Sequence, residues 1–396
     1  MKFLKYFPFL FLVVFISCKN NTDSIVELEH IHADLKTIYA PDKRVDLFDI
    51  QFDIKNNQLI VKGETTNEKA FYILLDSLKK REIKYVNKVR ILPDSAVADT
   101  MFAVARNSVI NIRSKPSHSS ELGTQGLLGM SLKVLDKKGD FYRVQTPDNY
   151  ISWVDKGGIT RMDKHDFDTW NQSKKIIFTE NFGVVYADKN ENAAIISDIS
   201  LGGLLKYVSE TGSYYKVQYP DNRIGFVKKQ EAVMYHTWLK NTITTQENIE
   251  TLALNFEGFP YLWGGTSSKG MDCSGFTKMV YLMNGLIIPR DASQQINAGK
   301  TVDKNLDFKE LQKGDLLFFG KKATETQKQR IVHVAIWLGN NKMEFIHASG
   351  NVHISSMDLN QPNYDEFNKN RYLGSRRYLG IKDDMILDLK EVKYSH

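Results

Sequence analysis

An internal repeat constrains the fold of this chain more than any other feature of its sequence. Residues 139–154 and 212–227 align without a gap at an offset of 73 residues, and Gly, Tyr, Val, Gln, Pro, Asp, Asn and Ile recur at matching positions. Each copy places a Pro-Asp-Asn turn between two segments rich in aromatic and β-branched residues, which is typical of a β-hairpin. We therefore predict two copies of one β-rich unit in the middle of the chain.

The segment ahead of the first copy extends this prediction. Residues 109–116, Val-Ile-Asn-Ile-Arg-Ser-Lys-Pro, resemble the opening of a bacterial SH3-like domain, and residues 183–188 are a more diverged counterpart. We expect SH3-like β-barrels over 100–163 and 175–235. Modules of this family often bind or position cell-wall peptides. The alternative is that the two barrels are rigid spacers, or walls that narrow a neighbouring cleft.

A second informative stretch surrounds Cys273. A loop rich in glycine, proline and aromatic residues (257–271) leads into Asp272 and Cys273, and apolar residues then recur at helical spacing over 276–283. Asp272 is suited to cap this helix, which places Cys273 in the first turn, where unpaired amides and the helix dipole favour a thiolate. The sequence predicts a nucleophilic cysteine with a lowered pKa; the alternative is a buried, inert cysteine.

Two histidines follow on a predicted hairpin. Strand-like segments flank Gly-Asn-Asn-Lys at 339–342, and a turn centred there places His333 opposite position 348, one residue from His347. We expect His333 to hold Cys273 as an ion pair and His347 to fix the tautomer of His333. A zinc site made from the three side chains is the alternative, although they lack a closely spaced pair of ligands.

These motifs together resemble the NlpC family of papain-like cell-wall cysteine peptidases, over about 237–380. The resemblance implies an α+β fold, in which a papain-like, NlpC-type catalytic domain at 237–396 follows the two barrels and a small N-terminal α/β module at 24–95. The matching segments are 260–265, 272–276, 289–290 with Gln295, 314–316, 333–336 and 347–348.

The resemblance also implies roles for individual residues. Cys273 is the expected nucleophile, His333 the general base, His347 the third member of the triad, and Tyr261 a hydroxyl donor to the oxyanion. Ala292 departs from the family, in which Ser or Thr is common at that position, and no metal or other cofactor is implied. The residues expected to line the substrate pocket are Asp272, Ser274, Asp291, Trp263 and Arg290, with Tyr150 or Trp153 of the first barrel as a further wall.

With two SH3-like domains, the chain resembles the branch of the family that hydrolyses the γ-D-glutamyl–L-diamino acid bond, where the diamino acid is diaminopimelate or lysine. The implied partners are peptidoglycan stem peptides or muropeptides, cleaved through a thioacyl-enzyme on Cys273. In that branch the first barrel closes one end of the cleft and selects peptides with a free L-Ala amine. Two alternatives remain at this point: a related papain-like amidase or acyltransferase, and a non-catalytic wall-binding scaffold.

The N-terminus predicts export. Residues 1–17 combine two lysines with an apolar run that is too short to cross a membrane, which is typical of a signal peptide. The run ends in Phe-Ile-Ser before Cys18 and resembles a lipoprotein processing site, so we expect Cys18 to be lipid-modified and 18–23 to tether the protein to a membrane facing the periplasm. The alternative is ordinary secretory cleavage that releases a soluble protein. Since Cys18 and Cys273 are the only cysteines, lipidation leaves Cys273 without a disulfide partner.

Composition excludes one further class of function. The chain has 396 residues and a formal charge of +6, and its lysines and arginines are spread along the sequence. A basic arm or stripe is what nucleic-acid binding requires. We therefore expect no nucleic-acid partner.

Overall fold

The computed structural model describes residues 21–56 and 58–392. The predicted signal peptide at 1–17 and Cys18 thus lie outside the described residues. The chain divides into two compact units between Leu92 and Pro93. Of the helices in the described part of the chain, none is both long and apolar enough to span a bilayer.

The first unit is a small α/β module. Strand β1 pairs antiparallel with β2, and β2 pairs parallel with β3 through the crossover helix α2, while apolar side chains of α1 and α2 pack on the sheet. Asn67 caps α2 by accepting a hydrogen bond from the Ala70 N–H. Its elements are α1 (Asn21–Tyr39), β1 (Phe48–Lys55), β2 (Gln58–Thr65), α2 (Glu68–Lys80) and β3 (Tyr85–Ile91).

The second unit begins with a barrel whose strands enclose a core of Ile110, Ile112, Val134, Val144 and Val154. Two 3₁₀ turns (Ser95–Thr100 and Lys156–Gly158) flank its strands, and helix α3 (Lys164–Gln172) leads out of it. The strands, in the sheet order β10-β4-β7-β8-β9-β5-β6, are β4 (Phe102–Ala105), β5 (Val109–Arg113), β6 (Leu122–Leu127), β7 (Ser131–Lys138), β8 (Phe141–Gln145), β9 (Ile151–Asp155) and β10 (Ile159–Met162).

A second barrel of the same strand order follows. Its hairpin β15–β16 corresponds to β8–β9, and the repeated asparagines of the two turns, Asn149 and Asn222, have φ angles of 65° and 69°. Asparagine is one of the few residues that adopts this left-handed conformation readily. The strands are β11 (Lys175–Phe178), β12 (Phe182–Tyr186), β13 (Ile195–Ser200), β14 (Leu204–Thr211), β15 (Tyr214–Gln218), β16 (Ile224–Lys228) and β17 (Ala232–Met234), in the sheet order β13-β12-β16-β15-β14-β11-β17.

The C-terminal part packs one buried helix, α6, against a six-stranded antiparallel sheet of order β21-β26-β22-β23-β24-β25. This arrangement after two barrels confirms the α+β class predicted from the sequence. Its elements are α4 (Tyr235–Asn241), α5 (Gln246–Leu254), β18 (Thr266–Ser267), β19 (Gly270–Met271), α6 (Cys273–Met283), β20 (Leu286–Ile287), α7 (Ala292–Gln295), β21 (Lys300–Val302), β22 (Leu316–Lys321), β23 (Arg330–Trp337), β24 (Glu344–Ser349), β25 (Asn351–Ser356), α8 (Glu366–Asn370), β26 (Tyr372–Arg377) and β27 (Leu387–Asp388).

Candidate active site

Cys273 is the first residue of α6, as its sequence context predicts. Asp272 is the N-cap, and its Oδ1 accepts a hydrogen bond from the Gly275 N–H at 2.7 Å. The thiol is free and only 8% exposed, and the backbone N–H groups of Val334 and Ser274 hydrogen-bond to its sulfur. The Val334 contact places the sulfur directly beside strand β23.

The predicted low pKa of the Cys273 thiol is wrong for the resting site. Burial raises the pKa of the thiol to about 12, and the neighbouring Asp272 carboxylate adds to this effect. Burial of the thiol, together with the negative charge of Asp272, therefore outweighs the effect of the helix dipole on the pKa of Cys273. Burial and the nearby His347 also lower the pKa of His333 well below its ordinary value. Both shifts favour a neutral thiol and a neutral imidazole at rest over the expected ion pair.

The hairpin that carries the two histidines forms with a register one residue from the prediction. Ile336 pairs with Ile346, and Gly339 and Met343 have positive φ in a connection that is longer than a two-residue turn. Continued along the strands, this register makes His347 a diagonal neighbour of His333 on the same face. The His333 Nε2 and His347 Nδ1 atoms lie 2.7 Å apart, and both rings are buried.

This contact defines which atoms are available for chemistry. With Nε2 of His333 directed at His347, Nδ1 is the ring nitrogen left to exchange a proton with the Cys273 thiol. Tyr261 lies within electrostatic range of Cys273, and burial raises the pKa of its hydroxyl. A phenol that stays protonated at all physiological pH values is a hydrogen-bond donor toward a developing negative charge.

A third histidine, which the sequence reasoning missed, extends the pair. His353 lies opposite His347 in the β24–β25 ladder, and their Nε2 atoms are 3.1 Å apart. The Nδ1 of His353 lies 3.1 Å from the Asn351 carbonyl oxygen. A signal was present, because a hairpin centred on Gly350, which has φ 76°, pairs positions 347 and 353.

Three of the predicted substrate-binding residues form a buried cluster beneath the nucleophile. Arg290 is 1% exposed, and its Nη2 donates to the Asp272 Oδ2 at 2.7 Å while Nη1 donates to the Ser274 Oγ at 2.9 Å. Burial alone would lower the pKa of Arg290, but the Asp272 carboxylate raises it above its ordinary value. Since these groups bond to one another, the geometry gives Arg290, Asp272 and Ser274 a role in fixing the start of α6.

The first barrel is docked along the loop that precedes Cys273. Gln125 of β6 and the backbone and side chain of Thr266 exchange three hydrogen bonds of 3.0 Å, and the Ser267 Oγ donates to the Gln125 Oε1 at 2.9 Å. A Cβ on Gly264, which has φ 80°, would lie 2.2 Å from the Leu122 carbonyl oxygen. This close approach of two backbones accounts for the glycine pair that marks the loop.

The same edge of the barrel brings polar and aromatic groups toward the cleft. The exposed Trp263 donates from Nε1 to the Glu121 Oε1 at 2.7 Å. Tyr150 lies within electrostatic range of Arg290. Asp148 forms an ion pair with Lys278, a side chain of α6 that is itself almost fully buried. Glu121 was not singled out from the sequence, because nothing local relates a loop of one domain to the active site of another.

The remaining predicted residues are placed differently. The Arg143 guanidinium lies over the ring of Trp153, 4.6 Å from the ring centroid, within the first barrel, and a contact of Trp153 with substrate stays a prediction. Asp291 caps the short helix α7, where the sequence indicated only a loop, and its Oδ1 lies 3.9 Å from the Arg290 Nη1. Within residues 21–56 and 58–392, no cluster of three or more His, Cys, Asp or Glu side chains is arranged to hold a metal ion.

Comparison with known proteins agrees with this geometry. The sequence model of the NlpC/P60 family matches residues 258–375, and that of the bacterial SH3 domain matches 108–160. A γ-D-glutamyl-L-lysine dipeptidyl-peptidase of Bacillus cereus is 32% identical over 274 residues, which are 66% of this chain and 77% of the relative. Dipeptidyl-peptidase 6 of Lysinibacillus sphaericus is 30% identical over 275 residues, which are 67% of this chain and 94% of the relative.

Solved structures give the same assignment. A crystal structure of an NlpC/P60 family protein from Bacillus cereus aligns with a TM-score of 0.58 at 27% identity, and the alignment covers 70% of this chain and 99% of that one. The alignment therefore extends beyond the catalytic domain. With Cys273 at the start of α6 and His333 on the facing strand, this chain belongs to the NlpC/P60 family and is a cysteine peptidase.

Proposed function

We propose that this enzyme hydrolyses the γ-D-glutamyl–L-diamino acid bond of peptidoglycan stem peptides and releases the N-terminal dipeptide. The observation that carries the proposal is the position of Glu121, an acidic residue of the first barrel that bonds to Trp263 of the catalytic loop. The names of the two relatives, γ-D-glutamyl-L-lysine dipeptidyl-peptidase and dipeptidyl-peptidase 6, support the same bond and product length.

The position of Glu121 matters because a dipeptidyl-peptidase has to recognise the free amino terminus of its substrate. An ammonium group that leaves water requires a carboxylate or the face of an aromatic ring. Glu121 offers the carboxylate, Trp263 is 63% exposed beside it, and Tyr150 belongs to the same barrel edge. We assign Glu121 and Trp263 to the terminal ammonium, and Tyr150 to the wall that limits the length of the bound peptide.

The chemical steps follow from the neutral resting pair. The Cys273 sulfur attacks the γ-carbonyl carbon of the D-glutamyl residue while its proton passes to Nδ1 of His333, so that no free thiolate has to form beforehand. The carbonyl oxygen becomes an oxyanion. The backbone N–H of Cys273 and the hydroxyl of Tyr261 stabilise it, and each donor of this kind contributes roughly 10²–10³ in rate.

Collapse of this intermediate breaks the carbon–nitrogen bond. His333 gives its proton to the departing amine of the diamino acid, which leaves the dipeptide as a thioester on Cys273. Water then attacks the thioester, with His333 again taking the proton, and the carboxylate product leaves the regenerated thiol. The roles of Cys273, His333 and Tyr261 in these steps use groups of this chain alone.

Mass spectrometry of a defined substrate tests the proposal. The full chain is incubated with L-Ala-γ-D-Glu-L-Lys and with its diaminopimelate counterpart, beside a Cys273→Ala variant. We expect L-Ala-γ-D-Glu from the parent enzyme only. Intact tripeptides together with ready alkylation of Cys273 would contradict the substrate assignment and favour an amidase or acyltransferase. Intact tripeptides and an unreactive thiol would favour a wall-binding scaffold.

We further propose that the enzyme acts outside the cytoplasm and is held there by a lipid on Cys18. The support is the sequence of residues 1–18, in which a basic start and a short apolar run, the pattern of an export signal, lead directly to a cysteine. Metabolic labelling with a radioactive fatty acid tests it. Label in the parent chain that is lost in Cys18→Ala is the expected result, and label retained by that variant would contradict the assignment.

A further inference from the structure

We propose that His353 is a positioning residue that sets the tautomers of His347 and His333, so that the Nδ1 of His333, the atom left to exchange a proton with Cys273, carries a lone pair and not a proton. The inference rests on the proposed peptidase chemistry. It extends the triad by one histidine, and its origin is the chain of contacts His333–His347–His353–Asn351.

The hydrogen bonds from His333 to Asn351 have one donor-to-acceptor direction, because the last group in the series can only accept. The Asn351 backbone carbonyl has no proton to donate, so the His353 Nδ1, 3.1 Å away, has to carry one. A neutral imidazole carries a single proton, and the Nε2 of His353 is then an acceptor. The His347 Nε2, 3.1 Å from it, has to donate.

The same argument applies to the hydrogen bond between His347 and His333, which are both buried. If the proton of His347 is on Nε2, its Nδ1 is an acceptor, and the His333 Nε2 at 2.7 Å has to donate. The Nδ1 of His333 is then left with a lone pair, and this is the atom that has to take the thiol proton. The carbonyl of Asn351 thus determines, through three rings, the correct tautomer of the catalytic base.

Protonation of His353 would reverse the two hydrogen bonds between the histidines and leave the bond to Asn351 unchanged. With protons on both nitrogens, His353 donates from Nε2, the proton of His347 moves to Nδ1, and the Nε2 of His333 becomes an acceptor. The Nδ1 of His333 then carries a proton and cannot act as a base toward Cys273. His353 is the member that solvent reaches, because it is partly exposed whereas His333 and His347 are buried.

The surrounding groups are compatible with this role. Burial and then His353 lower the pKa of His347 to about 3, so His347 stays neutral between its two neighbours. The charged groups near the chain are Arg371, which further lowers the pKa of His347, and Asp365, which raises it. The hydroxyl of Ser355 lies 3.2 Å from the His347 Nε2 and is a second acceptor for the same proton.

Two substitutions separate the proton arrangement from simple packing. His353→Gln offers an oxygen acceptor to His347 and does not titrate, whereas His353→Arg presents only donors. We expect kcat/KM at pH 7.5 to fall about threefold in the glutamine variant and at least 100-fold in the arginine variant. The acid limb of the kcat/KM profile should lose one ionisation in the glutamine variant. His165→Arg, an exposed histidine of α3, is the matched control.

Two measurements that need no substrate keep this test independent of the proposed bond. The ¹⁵N shifts of the histidine rings in the full chain should report protonated Nε2 on His333 and His347 at pH 8. The rate of alkylation of Cys273 by iodoacetamide should fall in the arginine variant as activity does. The inference is overturned if the arginine variant keeps activity and alkylation within threefold of the parent, or if the His347 proton is on Nδ1 at pH 8.

Discussion

The two barrels of this enzyme have the same backbone and different neighbours. Both have the same strand order, and the bulges in β7 at Val134 and in β14 at Tyr207 are separated by the repeat offset. Their Pro-Asp-Asn turns place Asn149 and Asn222 at φ 65° and 69°. Glycine, asparagine and buried valine recur in both copies, and these residues are the ones that a barrel needs for its turns and core.

The side chains of the turns and edges diverge. Asp148 of the first turn pairs with the buried Lys278 of the catalytic helix, whereas its counterpart Asp221 pairs at 2.9 Å with Arg223 of its own turn. Gln125 of the first barrel bonds to Thr266 of the catalytic loop, whereas its counterpart Asp198 accepts from Ser108 of the first barrel at 2.9 Å and forms an ion pair with Lys269, farther along the same loop. Both copies therefore contact the loop that precedes Cys273, but they use different side chains at matching positions.

In the two barrels the repeated residues therefore form the turns and the core, whereas the residues that contact the catalytic domain differ. The second barrel donates from the Leu204 N–H to the Leu128 carbonyl at 2.8 Å, and from Arg223 to the Arg106 carbonyl at 3.0 Å. These contacts hold the first barrel without reaching Cys273. Matched substitutions in the two copies should therefore have unequal effects wherever the side chain contacts the catalytic domain, and equal effects where only the backbone is concerned.

The largest difference is expected between Asp148→Asn and Asp221→Asn. The first change leaves the Lys278 ammonium buried without its carboxylate, which costs about 3–5 kcal/mol. The second removes a partly exposed pair, for which about 0–1 kcal/mol is typical. Chemical denaturation of the full chain, followed by tryptophan fluorescence, measures both. Equal losses in the two variants would contradict the unequal roles of the turns.

An intermediate effect is expected for Glu121→Gln, which keeps the acceptor for Trp263 and removes the charge. We expect KM for L-Ala-γ-D-Glu-L-Lys to rise about tenfold with little change in kcat, since a charged hydrogen bond is worth about 1.5–3 kcal/mol. Glu210→Gln, an exposed acid of the second barrel that pairs with Lys229, is the control and should leave both constants unchanged. An unchanged KM in the Glu121→Gln variant would contradict the assignment of Glu121 to substrate recognition.

The smallest effect should be the same in both copies. Asn149→Ala and Asn222→Ala each replace a residue that adopts the left-handed conformation readily by one that does not, which costs about 1–2 kcal/mol. Thermal unfolding of the two variants should show equal shifts. A large shift in only one of them would mean that the two turns differ in backbone as well as in side chains.

How far the sequence predicts this molecule depends on how local each feature is. The N-cap Asp272 and the hairpin of His333 and His347 follow from spacing within a few residues, and both were predicted, the hairpin with a register error of one residue. The low pKa of Cys273 was predicted from the helix dipole, which is local, and failed because burial is a property of the whole fold.

Contacts between segments that are distant in the sequence could not be predicted from it. Glu121 meets Trp263 only because one domain docks on another, and the sequence carries no periodicity that relates them. The same docking turns Asp148 toward Lys278, although the repeat gives Asp148 and Asp221 the same local sequence. The contact of Trp153 with Arg143 was likewise not predicted, and the role of Trp153 as a substrate wall stays a prediction.

The most direct test of the whole account compares one tripeptide with its N-acetylated form. If the first barrel closes the cleft and Glu121 holds a terminal ammonium, the enzyme should cleave L-Ala-γ-D-Glu-L-Lys with a kcat/KM at least 100-fold above that for the acetylated peptide. The Glu121→Gln variant should reduce this preference. Equal cleavage of both peptides would contradict the account, because the first barrel would then be a spacer and the enzyme an endopeptidase that ignores the end of its substrate.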